Sequence, residues 1–69
     1  MIKEGSEVKW KWGNGTATGK VEKTYTKEVT KTIKGSEITR KGEEGNETLF
    51  IKQDDGSSVL KLEDEVERK

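Results

Sequence analysis

Apolar and charged residues alternate along residues 7–12, and this period of two constrains the fold more than any other feature of the sequence. Its apolar members are Val8, Trp10 and Trp12, with a lysine between each pair. Because successive side chains of a β-strand point to opposite faces, the pattern predicts a strand with one buried face. Residues 13–15, Gly-Asn-Gly, follow at once and favour the positive φ angles of a tight hairpin turn.

The rest of the chain repeats this arrangement of short alternating runs and glycine-containing turns. Lys23 interrupts the apolar phase of the second run, and Gly19 within it predicts a bulge or sharp bend. The last residues, 63–69, favour either one helical turn docked by Leu62 and Val66 or a frayed coil. The further strands expected are 16–26, 29–33, a strand around Ile38, 49–51 and 58–62.

Five or six short strands without a helical pattern predict one small antiparallel all-β domain, a barrel or sandwich, covering residues 1–69. The chain has zero net charge, and 26% of its residues are hydrophobic, so only eighteen apolar side chains are available to a core. A domain of this size buries roughly 60% of the surface of its unfolded chain. Nearly every apolar side chain is therefore needed inside, and few are left for a binding patch.

The residue types exclude most catalytic chemistry. The chain has no His and no Cys, which removes the usual general base at neutral pH and the usual activated nucleophile. Its carboxylate pairs, such as Asp54 and Asp55, fall in turns or in the acidic tail, where no burial raises a pKa. Asp54-Asp55-Gly56 also lacks the spacing of a calcium loop. We expect no enzyme activity, no metal and no cofactor.

The spacing of glycine, valine and tryptophan near the start resembles the opening of SH3-like barrels, which include Tudor and KOW domains. The residues that carry this resemblance are Gly5-x-x-Val8-x-Trp10, Gly13-x-Gly15 and Gly19-x-Val21. With residues 29–39, Asp55-Gly56 and Val59-Leu60-Lys61, the chain from about Gly5 to Leu62 is similar to small bacterial members of the hypervirulence-associated Tudor-domain family. The resemblance implies an SH3-like, Tudor-type barrel of five to six antiparallel strands and supplies no catalytic residues. Many relatives carry a His and an acidic-Pro segment where this chain has residues 42–46, Gly-Glu-Glu-Gly-Asn.

The four aromatic side chains include the candidate ligand contacts. Trp10 has apolar neighbours in phase on both sides and is expected in the core. Trp12 and Tyr25 lie at strand ends and are expected at the rim of the barrel, either as core or as a cage that holds a methylated ammonium by cation–π attraction. Phe50 is out of phase with its neighbours, which makes it either the second face of a buried strand or an exposed contact.

Charge is unevenly distributed although it sums to zero. Residues 20–41 hold seven basic and three acidic residues, a net +4, whereas residues 43–69 hold four basic and nine acidic residues, a net −5. A basic hairpin fits a phosphate backbone, but interspersed surface charge also keeps a small domain soluble and opposes edge pairing. The candidate nucleic-acid-binding residues are Lys20, Lys23, Lys27, Lys31, Lys34, Arg40 and Lys41.

Taken together, these patterns predict a small non-catalytic interaction module. The expected partner is a peptide or protein that contacts the rim aromatics, the residues named for this role being Trp12, Tyr25 and Phe50. The alternative is a nucleic-acid accessory domain that uses the basic hairpin. No apolar stretch has the length of a signal peptide or membrane span, so a cytoplasmic protein, monomeric or weakly dimeric, is expected.

Overall fold

A computed structural model describes residues 2–69, which form seven strands and one short 3-10 turn. The all-β class and the helical turn near the end of the chain are both confirmed. The elements, in chain order, are β1 Glu7–Trp12, β2 Gly15–Tyr25, β3 Glu28–Ile33, β4 Ser36–Lys41, β5 Thr48–Gln53, β6 Ser58–Leu62, the 3-10 turn Glu63–Glu65 and β7 Glu67–Arg68.

Five of the strands form one antiparallel sheet in the order β6-β5-β2-β1-β7, and β3 pairs only with β4. The strands therefore do not close into the predicted barrel within the described residues. The β3–β4 hairpin instead lies across β6, where Ile33 and Ile38 line a small cavity with Val59 and Leu60. Side chains rather than ladder hydrogen bonds join the hairpin to the sheet.

The interruption that Lys23 makes in the sequence pattern is explained by a bulge in β2. Val21 pairs with Ile51, but the register shifts by one residue so that Lys23 pairs with Phe50. An extra residue reverses which side chains point to which face beyond it. Lys23 and Tyr25 therefore leave the face that Val21 occupies. The bulge was expected at Gly19, and it lies two to four residues further along.

The core lies on one face of the five-stranded sheet and takes residues from both ends of the chain. Its fully enclosed members come from β1, β2 and β5, and Val66 closes it after the 3-10 turn. Val59 packs against it from β6. The buried cluster consists of Ile2, Val8, Trp10, Ala17, Val21, Leu49, Ile51 and Val66. Trp10 is in the core, as its phase predicts.

The opposite face of β5 and β6 carries a second, thinner apolar layer. Phe50 and Leu60 pair across the two strands on this face, and the β3–β4 hairpin covers them. Leu60 and Val29 are buried, whereas Phe50 and Ile38 are half-buried. Phe50 is thus the second face of a largely buried strand, the first of the two alternatives left open by its phase.

Gly19 is buried because the neighbouring strand leaves no room for a side chain. A β-carbon added there would lie 2.9 Å from the Lys52 carbonyl oxygen and would press on the Ile51 side chain. Gly15, in the same strand, is open, since its nearest neighbour would be Trp12 Nε1 at 4.0 Å.

We expect Gly19→Ala to lower the free energy of unfolding by about 1–3 kcal/mol, because overpacking forces the backbones of β2 and β5 apart. Gly15→Ala in the same strand is the control and should change stability by no more than about 0.5 kcal/mol. Urea unfolding of both variants at equal m-value measures the difference. Equal midpoints for the two variants would contradict the tight approach of β5 to Gly19.

Candidate functional site

Trp12 is a large apolar side chain left in solvent at the end of β1. Its exposed fraction is 63%, whereas Trp10 on the same face of the same strand is 7% exposed. The residue paired with Trp12 across β1 and β2 is Gly15, which has no side chain to cover the indole. The local reason for the exposure is therefore the Gly13-Asn14-Gly15 turn, which ends the sheet immediately beside Trp12.

A groove of about 410 Å³ opens beside Trp12 on the core side of the sheet. Its apolar residues, Trp10, Ala17 and Val59, belong to the core or pack against it. Its volume lies within the usual range for sites that take a ligand. The residues that line this Trp12 groove are Trp10, Trp12, Ala17, Lys34, Gln53, Asp55, Ser57, Val59 and Lys61.

Asp55 contributes a carboxylate to the Trp12 groove, and the turn that contains Asp55 holds this carboxylate in place. The Ser57 amide donates to Asp55 Oδ1 at 2.9 Å, and the Ser57 hydroxyl lies 2.6 Å from the same oxygen. The hydroxyl and amide of Ser57, followed by the charge of Lys34, hold the pKa of Asp55 below its usual value of 3.8. Lys61 forms no ion pair among the described residues. The groove therefore contains an unpaired positive charge as well as the Asp55 carboxylate, which is hydrogen-bonded to Ser57.

Tyr25 and Phe50 lie together, but away from Trp12. Tyr25 ends β2, while Trp12 pairs with Gly15 at the start of the same eleven-residue strand. An extended strand rises about 3.3 Å per residue, whereas a cation must lie within about 6 Å of each ring that holds it. One cage therefore cannot use both Trp12 and Tyr25. The three predicted contact residues are split into two places.

The Tyr25 and Phe50 rings are already in contact with a cation of the chain itself. Lys31 Nζ lies 5.7 Å from the centroid of the Tyr25 ring and 5.2 Å from that of Phe50. The bulge in β2 places Tyr25 on the same face of the sheet as Phe50. Lys31 belongs to the β3–β4 hairpin, which covers this face. These two aromatics thus join the hairpin to the sheet by cation–π attraction.

The seven cations predicted to bind nucleic acid do not form one exposed stripe. Lys31 points at the aromatic pair, and Arg40, whose side chain is 38% exposed, has its Nε buried and its Nη2 3.7 Å from Glu65 Oε2. The other five are exposed: Lys20 and Lys23 on β2, Lys41 at the end of β4, and Lys27 and Lys34 in the connections before and after β3. Binding to nucleic acid stays a prediction from charge alone.

Sequence reasoning missed the residues that β5 and β6 bring to the Trp12 groove, chiefly Gln53, Val59 and Lys61. A local signal exists for Val59: the turn after Gln53 sets a register that pairs Val59 with Ile51, and so places it on the core face. Within residues 2–69 no cluster of three or more His, Cys, Asp or Glu residues is arranged to hold a metal ion. No helix in that part of the chain is long and apolar enough to span a membrane.

Replacing Lys31 by methionine tests the cation–π contact while keeping the apolar stem of the side chain. We expect Lys31→Met to lower the free energy of unfolding by about 0.5–1 kcal/mol. Lys27→Met, at an exposed position just before β3, is the matched control and should stay within about 0.5 kcal/mol of the parent. Urea denaturation measures both, and equal stability of the two variants would contradict the contact.

Ser57→Ala should raise the pKa of Asp55 towards 3.8, because the hydroxyl is the largest cause of its depression. Since the folded-state pKa lies below the unfolded value, the carboxylate stabilises the fold above pH 3.8, and this contribution is lost as pH falls through the folded-state pKa. The variant should therefore lose less stability than the parent on acidification. Carboxyl-carbon NMR titration checks the shift, with Ser58→Ala as control; an unchanged Asp55 midpoint would contradict it.

Of three comparisons with known proteins, one identifies the family of this chain. A search of curated proteins and a search of solved structures each return no significant match. The family model described as Hypervirulence associated proteins TUDOR domain matches residues 5–66. The matched range contains the whole β3–β4 hairpin and all strands of the five-stranded sheet except β7. The resemblance seen in the sequence is confirmed, and the chain belongs to the hypervirulence-associated Tudor-domain family.

Proposed function

We propose that this protein is a small non-catalytic module that binds a peptide or protein partner in the Trp12 groove. Membership of a Tudor-domain family indicates a small binding module in general terms. The observation that carries the finer proposal is the 63% exposure of Trp12. A chain with so few apolar residues gains no stability from a tryptophan held in water.

Covering Trp12 gives a partner a sizeable gain in free energy. Burying the exposed part of a tryptophan yields roughly 2–4 kcal/mol, before the costs of ordering and association are subtracted. Tryptophan is also among the residues that most often dominate binding energy at protein interfaces. The apolar residues Trp10, Ala17 and Val59 beside it extend the surface on which a partner side chain can pack.

The chemistry of the Trp12 groove supports a binding role over a catalytic one. A general base works best with a pKa near the working pH, which for a carboxylate requires a large upward shift. The pKa of Asp55 moves downward instead, because Ser57 donates two hydrogen bonds to the ionised form. The remaining charged groups of the groove are Lys34 and Lys61, neither of which lies in a closed apolar pocket.

Tyr25 and Phe50 have a weaker case as the contact surface. An external cation would have to displace Lys31, whose ammonium already lies within 6 Å of both rings. Phe50 is half-buried under the β3–β4 hairpin. We therefore assign the partner contact to Trp12 and a structural contribution to the other two aromatics.

Peptides selected for binding to the parent protein, from a displayed library, test this function when titrated against variants. We expect Trp12→Ala to weaken their binding by about 30-fold or more, the effect of losing an interface hot spot of about 2 kcal/mol. Urea stability should be preserved, because the removed side chain is mostly in solvent.

Phe50→Leu, on the opposite face of the sheet, is the control and should leave peptide affinity unchanged. Trp12→Phe should keep part of it. If the selected peptides bind Trp12→Ala as tightly as the parent, or if Phe50→Leu causes the larger loss, the assignment to the Trp12 groove is wrong.

A further inference from the structure

Among residues 2–69, no strand pairs with the outer edge of β1 beside Trp12. β7 pairs with β1 only at Val8 and Lys9, and the Lys69 amide donates to the Glu7 carbonyl at 2.9 Å. In an antiparallel pair, alternate residues direct both backbone groups to the same neighbour. The amide and carbonyl of Lys11 therefore point to the side on which Glu7 meets β7, where the pairing has already ended.

The chain's own C-terminal segment shows which side chains suit this edge. Glu67 lies opposite Lys9. Continuing the same register places Val66 opposite Trp10, and both of these side chains belong to the core cluster. An acidic residue thus faces a lysine on the outer face, and an apolar residue faces a tryptophan on the inner face. If the same pattern continued along β1, an acidic residue would lie opposite Lys11 and an apolar residue opposite Trp12.

The described part of the chain places no residue of its own opposite Lys11 or Trp12 on this edge. The register assigns Glu65 to the position opposite Lys11, but the 3-10 turn Glu63–Glu65 carries it away. Its carboxylate accepts a hydrogen bond from the Leu62 amide at 2.8 Å and lies 3.7 Å from Arg40 Nη2. Lys11 and Trp12 remain exposed, one on each face of an open strand edge.

We propose that this edge binds the end of an extended peptide in which acidic and apolar residues alternate, added as a short antiparallel strand that stops opposite Lys11, since Val66 already holds the position opposite Trp10. The residue opposite Lys11 exchanges backbone hydrogen bonds with it and carries the acid. The residue next to it places an apolar side chain against Trp12 in the groove. Main-chain bonds supply affinity and alternate side chains supply specificity in this mode of binding. This inference rests on the proposed function of the Trp12 groove.

A second copy of the chain is a poor occupant of the same edge. Antiparallel pairing of two β1 edges centred on Lys11 sets this lysine against its equivalent, with Lys9 close by in both copies. Like charges directly opposite each other destabilise a sheet, and edge lysines are a common defence against such pairing. The same two lysines favour an acidic strand. The positive charges of Lys9 and Lys11 therefore favour an acidic peptide over a second copy of the chain at this edge.

A short synthetic peptide of alternating glutamate and leucine is the probe, titrated at neutral pH against the parent protein with amide chemical shifts as readout. We expect shifts at Lys11, Trp12 and Gly13. Lys11→Glu should weaken binding by about tenfold or more and should improve binding of a lysine and leucine peptide. Lys27→Glu, on an exposed loop away from β1, should change neither.

Backbone methylation of the probe separates strand addition from simple attraction of charge. The glutamates lie opposite Lys11, at the position that exchanges hydrogen bonds, whereas the leucines lie opposite Trp12, whose backbone bonds to β2. N-methylation at the glutamates should therefore abolish binding, and N-methylation at the leucines should be tolerated. No binding of the unmodified probe, equal effects of the two methylations, or indifference to Lys11→Glu would each overturn the proposal.

The two proposals fail in different ways. Library-selected peptides that need Trp12 but ignore Lys11→Glu and backbone methylation would leave the Trp12 groove as the binding site and refute strand addition. A glutamate and leucine probe that follows the methylation pattern but binds Trp12→Ala normally would support strand addition at the edge, and would refute both the groove and the packing of the apolar residue on Trp12.

Discussion

Strand β2 presents one face to the core along its first half and the other face along its second half, because an extra residue at Glu22 shifts its pairing with β5. The sheet depends on this shift. Val21 packs into the main core on one side, and Tyr25 reaches Phe50 on the other. One eleven-residue strand therefore contributes to both apolar layers, which lets a chain with few apolar residues cover two faces of the same sheet.

The two layers differ in how they are held. The core face is enclosed by residues from the beginning, middle and end of the chain, so its burial requires the whole fold. The second layer depends on one hairpin, whose contribution is one buried valine, some half-buried aliphatic groups and the stem and charge of Lys31. Most of the apolar side chains thus lie in the enclosed main core. Under the hairpin, where fewer apolar side chains are available, the cation–π contact of Lys31 adds to the packing.

The alternation in the sequence predicted the class of fold and the strands β1 to β6, since β1 and the β3–β4 hairpin follow directly from period two and turn residues. It did not predict β7, which lies in the segment expected to be a helical turn or a coil. It could not predict the bulge, which arises from how β2 pairs with β5, far along the chain. Without the bulge, Tyr25 appears in phase with Val21 and at the same rim as Trp12. The Trp12 groove was recognised only in part, because alternation shows which face a residue takes but not which distant strands lie beside it. Val59 and Trp10 line the same groove although β5 and β2 lie between their strands in the sheet.

The attachment of the β3–β4 hairpin also bears on how the molecule moves. Among the described residues the buried Arg40 Nε has no hydrogen-bond partner, and a cavity of about 180 Å³ is lined by Ile33 and Ile38 of the hairpin together with Val59 and Leu60 of β6. An unpaired buried donor and a gap in packing both lower the cost of local opening. Both features favour opening of the hairpin as a unit that leaves the five-stranded sheet intact. Such an opening would release Lys31 from the two aromatic rings and expose the face of Phe50 and Leu60 to solvent.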